Sequence, residues 1–232
     1  MDEESRYETV LASAWLRGNS KRTGVPDLPT PLLQKPFEDL TEMERATILD
    51  YGESAGLKLY PFKRDKTQMP RVKRTLGFLR SIQFESLLDI GSGRGAFLFP
   101  FLNDFPGIEL TALDLLDHRI QFLRDLHDGG ITRLSVSLGD VCSQPFPTNS
   151  FDVVTMLEVL EHIPNVKQAI TAGVRMAKNY VVVSVPSKQD DNPEHIHLLT
   201  RPILTELFTA AGCSRLHFDA VEGHLILFAT CK

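Results

Sequence analysis

Little in this chain points to a secreted, covalently stapled or membrane-bound protein. Its three cysteines, Cys142, Cys213 and Cys231, are odd in number and widely separated, and none belongs to a closely spaced metal-type pair. A disulfide framework is thereby excluded, and reduced, mostly buried thiols are expected. Excess positive charge is also missing. Lys and Arg total 25 against 30 Asp and Glu, a net charge of −5, so no global field gathers nucleic acid or anionic membrane. Long apolar runs are absent: the longest, such as YVVVSVP at 180–186, fall far short of the ~20 residues that span a bilayer. The opening MDEESRYETV is charged from its second residue, which does not read as a secretory signal. The expectation is a soluble, cytoplasmic protein with no membrane partner.

What is present suits a sizeable core. Over 232 residues, 42% hydrophobic, one α/β domain with an accessory segment is expected. Residues 1 to about 40 mix charge with Pro26, Pro29, Pro31 and Pro36. They read as a short helix around Tyr7 to Leu16 followed by an irregular arm. Thr41 and Glu44 have capping-box spacing and open a helix that Gly56 would stop. Pro70 then fits the first turn of another helix, with Val72, Leu76 and Leu79 on one face. This stretch is locally basic: Lys58, Lys63, Arg64, Lys66, Arg71, Lys73, Arg74 and Arg80 are set against Asp65 alone. The two readings of that charge are a solvated helix face and a rim attracting an anionic substrate. Residues 1–82 are read as an N-terminal arm and helical segment covering the site.

From Ser86 the pattern changes. SLLDIG, IELTALD, LSVSLGD, FDVVTMLE and YVVVSVP read as buried strands. GAFLFPFLNDF, Asp117 to His127, VKQAITAGVRMA and TRPILTELFTAAG read as helices between or after them. SRLHFDAV and HLILFATC close as a hairpin-like pair around Glu222 and Gly223. Alternating β and α elements predict a mostly parallel sheet with helices on both faces, the last strand being antiparallel. Residues 83–232 form this domain.

Chemistry concentrates at the strand ends. Gly91, Gly93 and Gly95 lie in DIGSGRGAF, where the first strand turns into a helix. Backbone there must approach a ligand in conformations that a Cβ forbids. The same stretch fits the looser dinucleotide form G-x-G-x-x-A, ending at Ala96. Asp114, 19 residues past Gly95, ends the second strand, where a carboxylate accepts hydrogen bonds from ribose hydroxyls. Gly139-Asp140-Val141 ends the third, where a carboxylate can accept from the exocyclic amine of adenine. Turn glycines and capping aspartates account for each alone, but together they line one crevice for a nucleoside-containing ligand.

LLDIGSGRG, ALD, GDV and FDVVTMLEVLEHIP together resemble the motif series of class I S-adenosylmethionine-dependent methyltransferases, over roughly Ser86 to Lys232. The resemblance implies a Rossmann-like seven-stranded sheet. It places Asp89, Gly91, Gly93 and Gly95 around the methionine part of S-adenosyl-L-methionine and Asp114 on the ribose. Leu115 would lie against the adenine, Asp140 on its amine and Val141 on its ring, with Glu158 facing the methyl group. A nicotinamide-dependent oxidoreductase is the rival, but no tyrosine-lysine pair at helical spacing follows the sheet strands. A non-catalytic nucleoside-binding module would leave the next group of residues without a role.

That group is polar. Glu158, Glu161 and His162 follow the fourth strand, and Glu194, His195 and His197 lie in PEHIHLLT after the fifth. In the family's strand order these strands are neighbours, so Glu158, Glu161, His162, His195 and His197 are expected to converge on the acceptor side. Glu158, Glu161, His162 and His195 read either as a general base with its orienter or as ligands of a divalent cation, Mg²⁺ or Mn²⁺. Small-RNA 3′-end 2′-O-methyltransferases look similar here, with Glu-x-x-Glu-His and a later histidine. This chain departs from them in carrying Ile196, His197, Leu198 and Leu199 where aromatic residues usually follow. The alternative for His162 and His197 is loop packing, with Thr200 capping the next helix. The acceptor is read as a small molecule, anionic if the basic segment borders it, with an RNA terminal ribose as the alternative.

Overall fold

The computed structural model describes residues 8–62, 69–143 and 146–231. Tyr7, Lys63, Arg64, Asp65 and Lys66, which figured in the sequence reading, lie outside the described residues.

Seven strands form one sheet in the order β3-β2-β1-β4-β5-β7-β6. They are β1 (Ser86–Ile90), β2 (Glu109–Asp114), β3 (Leu134–Leu138), β4 (Phe151–Leu157), β5 (Ala177–Pro186), β6 (Cys213–Val221) and β7 (His224–Cys231). The first five are mutually parallel, and β7 runs antiparallel to both of its neighbours. This is the expected Rossmann-like arrangement. Side chains alternate across the pleat: Leu87 joins the core on one face and Leu88 the core on the other. Helices α1 (Thr9–Thr23), α4 (Pro70–Leu79), α5 (Leu98–Asp104) and α6 (Asp117–Gly129) cover the first face. The second is covered by α7 (Val166–Met176) and α8 (Arg201–Ala210). Two further helices, α2 (Thr30–Gln34) and α3 (Glu42–Ser54), complete the N-terminal part.

Several local signals read from sequence are realised. Thr41 Oγ1 accepts from the Glu44 amide at 3.2 Å while the Glu44 carboxylate accepts from the Thr41 amide at 2.8 Å, a reciprocal cap worth about 1 kcal/mol. Val72, Leu76 and Leu79 are buried on one face of α4. Other readings need correction. The first described helix runs on to Thr23, because Arg17, Gly18, Asn19 and Ser20 are buried against neighbouring structure although they carry no apolar pattern. The helix expected from Gly95 begins at Leu98, since Gly95 has φ 75°, outside the helical region. Thr200 sits at the N-cap of α8 without making a side-chain cap.

The N-terminal segment was expected over the site. The structure instead packs α1 along α6. A Cβ on Gly18 would lie 1.8 Å from the Asp125 carbonyl oxygen, and one on Gly129 would lie 1.6 Å from that of Ala14. The two helices therefore touch backbone to backbone. Arg22 clamps the buried Asp125 with two 2.7 Å bonds. Buried Arg17 donates to the carbonyls of Gly129, Leu33 and Lys35. From residues 1–82, only Arg71 and Val72 among the described residues reach the cavity below.

Candidate active site

Strand order reverses direction between β1 and β4, and the carboxyl ends of the strands open there onto a cavity of about 700 Å³. Its wall includes every residue assigned above to the cofactor except Gly95, which lies just outside it. Gly93 has φ 56°, and a Cβ there would meet nothing closer than 3.6 Å. The constraint at Gly93 is thus conformational, and the space over it stays open for a ligand. The Gly93 amide donates to Asp114 Oδ2 at 2.9 Å, the Leu116 amide donates to Oδ1 at 3.0 Å, and Arg119 Nη1 lies 3.6 Å from Oδ2. Asp114 is therefore fixed at the tip of β2, 4% exposed. Asp140 is fixed likewise by the Cys142 amide at 2.9 Å. Leu115 is 67% exposed although it is a large apolar side chain beside the cavity, a surface that a flat ring would cover.

Asp89 sits at the bottom of this wall. It is buried, accepts from Thr155 Oγ1 at 2.7 Å through Oδ1, and leaves Oδ2 without a partner. Burial pushes its carboxyl up to about 7, with the Thr155 bond and others pulling the opposite way.

The acceptor-side residues divide in a way that corrects the four-residue expectation. Glu161, His162 and His195 do converge, with ligand atoms all within 4.8 Å of one another. Glu158 does not join them. Its backbone adopts φ 58°, which costs a non-glycine residue energy. Its side chain accepts from Ser184 Oγ at 2.7 Å and lies 3.0 Å from His224 Nε2. His197 donates to the Ile163 carbonyl at 3.1 Å and serves the loop. The imidazoles of the cluster are oriented from behind. His162 Nδ1 lies 2.9 Å from the Glu194 carbonyl, and His195 Nδ1 lies 2.9 Å from Asp190 Oδ2. Both partners accept hydrogen bonds, so each Nδ1 carries a proton, and in the neutral ring each Nε2 presents a lone pair. His162, Glu158 and Glu194 line the cavity. Glu161 is fully buried with neither oxygen bonded, and burial pushes its carboxyl up to about 8.

Two members of the basic segment are engaged elsewhere. Arg74 pairs with Asp219 and Arg80 with Asp104, leaving Arg71 on the cavity wall. Sequence reasoning missed three residues here. Ser184 and His224 hold Glu158, and Asp190 holds His195. Ser184 on β5 and His224 on β7 are revealed only by strand placement, while Asp190 lies in the loop after β5, five residues before His195.

Comparison with known proteins agrees with this geometry. Residues 88–183 match the family model described as a methyltransferase domain. A probable chloroplastic tocopherol O-methyltransferase of Oryza sativa subsp. japonica is 31% identical over 78 residues, 30% of this chain. The chain spans 22% of that relative's length. Among solved structures, a SAM-dependent methyltransferase from Aquifex aeolicus has TM-score 0.61 at 17% identity, covering 73% of this chain and 94% of that one. The cyclase SpnF has TM-score 0.57 at 17% identity, covering 68% and 79%. At such identities these structures show the fold alone. No described helix is long and apolar enough to cross a membrane.

Proposed function

We propose, from the premise that this chain belongs to the class I S-adenosylmethionine-dependent methyltransferases, that it methylates the oxygen of a small hydroxylated acceptor with His162 taking the proton. One observation carries the reading: His162 lines the cavity and is held by the Glu194 carbonyl so that its Nε2 lone pair is free. The O-methyltransferase named among the relatives supports an oxygen acceptor.

The residues fit the cofactor. Asp114 would hold the ribose, Asp140 the adenine amine, and Leu115 and Val141 would flank the ring. Asp89, with an unpartnered buried oxygen, and Gly91, Gly93 and Gly95 would surround the methionine part. S-adenosylmethionine, when bound, supplies an electrophilic methyl group on a sulfonium sulfur. The chain's own work is positioning, which can contribute ~7–11 kcal/mol, and removal of the acceptor proton at His162 Nε2. The imidazolium so formed would lie 4.0 Å from Glu161 Oε1, but burial pushes that carboxyl up to about 8, so it lends the imidazolium no full negative charge at pH 7. General-base assistance of this kind contributes about 10²–10⁴ in rate. His162→Ala should therefore lower kcat by about that factor while leaving the affinity for S-adenosylhomocysteine unchanged. Full turnover in the variant would remove His162 from the reaction.

A second reading is favoured by the two unpartnered oxygens of buried Glu161 and by the convergence of ligand atoms of Glu161, His162 and His195 within 4.8 Å of one another. Imidazoles whose Nδ1 is held by a carbonyl or carboxylate suit metal ligation, and Glu161, His162 and His195 would hold Mg²⁺ or Mn²⁺. The ion would act as a Lewis acid on the acceptor hydroxyl, and a terminal RNA ribose belongs to this reading. Turnover abolished by a chelator and restored by Mn²⁺ would establish it over the general base. Turnover indifferent to chelator would exclude it.

A further inference from the structure

The cavity wall is acidic. Asp89, Asp114, Asp140, Glu158 and Glu194 all contribute to it. Any ligand carboxylate entering such a space needs a cation that is not already engaged. Arg119 stands 3.6 Å from Asp114, on the ribose side. Arg71 differs. It is half-buried at the second position of α4, and the helix N-cap, Met69, makes no side-chain cap. Among the described residues, Arg71 makes no hydrogen bond or ion pair, whereas Arg74 and Arg80 on the same helix and just beyond it both have carboxylate partners. Arg71 lines the same cavity as His162 and Glu194, the residues of the acceptor side. A guanidinium kept unpaired in an acid-lined cavity is poised for a planar, bidentate oxyanion.

We propose that Arg71 is the carboxylate-reading residue of this cavity. The proposal rests on the methyl-transfer reading, which supplies two sources of a carboxylate: the methionine end of the cofactor and the acceptor. A substitution here should be tolerated by the fold, because no partner is orphaned.

The experiment is calorimetry on the full chain and on Arg71→Gln, with S-adenosylhomocysteine, with 5′-methylthioadenosine, and with benzoate added to the S-adenosylhomocysteine complex. The two nucleosides share the adenosine thioether, but only the first carries a carboxylate. If Arg71 reads the cofactor, the variant weakens S-adenosylhomocysteine about tenfold or more and leaves 5′-methylthioadenosine unchanged. If it reads the acceptor, both nucleosides are unchanged, and benzoate binds the wild-type complex but not the variant complex. The proposal is overturned if all three affinities are the same in both proteins, or if both nucleosides weaken equally, which would mark a general disturbance. Failure of wild type to bind either nucleoside would instead bring down the methyl-transfer reading itself.

Discussion

Cofactor binding should release a proton, and Asp89 should be its source. The carboxyl is held at about 7 in the free protein, mainly by burial, and one of its oxygens has no partner. S-adenosylhomocysteine brings an ammonium group to the part of the cavity assigned to Asp89, and an opposite charge favours the ionised carboxylate. Below about pH 7 the proton must leave before the pair can form, so the apparent affinity should fall about tenfold per pH unit. Between pH 8 and pH 6 that amounts to roughly 1.4 kcal/mol. The direction follows from the raised value: the free protein holds the proton at pH 6 and the complex does not. Titration calorimetry at pH 5.5, 6.5 and 7.5, in buffers of different ionisation enthalpy, would count the released proton. Asp89→Asn should bind more weakly at pH 8 and show a flat profile. A wild-type affinity constant from pH 5.5 to 8, with no proton released, would refute the reasoning.

Two further outcomes follow from packing and burial. Gly18→Ala should destabilise the protein by about 1–3 kcal/mol or more, because the added Cβ meets the Asp125 backbone at 1.8 Å; an unchanged denaturant midpoint would mean that α1 does not lie on α6 as described. In chelator-treated protein, Glu161→Gln should change the pH dependence of stability. The wild-type carboxyl, at about 8 when folded against an ordinary 4.5, contributes stability that is fully present below pH 4.5 and lost as pH rises through 8. Thermal midpoints of the two proteins should therefore diverge in the variant's favour as pH rises from 4.5 to 8 and run parallel above that, and curves parallel throughout would contradict the assignment.

The cofactor side was legible because it follows from strand ends. Once β1, β2 and β3 are recognised, Gly91 to Gly95, Asp114 and Asp140 must share one edge of a parallel sheet. The acceptor side was legible only as a neighbourhood. Glu158 and Glu161 look equivalent in the sequence, yet a left-handed backbone at Glu158 sends its side chain to Ser184 and His224. That partner comes from β7, the strand inserted antiparallel beside β5, 66 positions further along. Charge was misleading where its partner is remote: Arg74 reads as part of a basic run, but Asp219 neutralises it from β6. The α1 contact was hidden for the opposite reason. Arg17, Gly18, Asn19 and Ser20 are buried by hydrogen bonds and backbone approach, and neither leaves a hydrophobic period to read.

The account stands or falls on the ligand at the tips of β1, β2 and β3. Calorimetry of wild type and Asp114→Ala with S-adenosylhomocysteine, and of wild type with NADH, tests it most directly. The expected result is binding in the micromolar range, near −8 kcal/mol as an order of magnitude, weakened by about 2 kcal/mol or more in the variant as hydrogen bonds to a charged group are lost, with no binding of NADH. Binding of NADH without S-adenosylhomocysteine would contradict the assignment at its root.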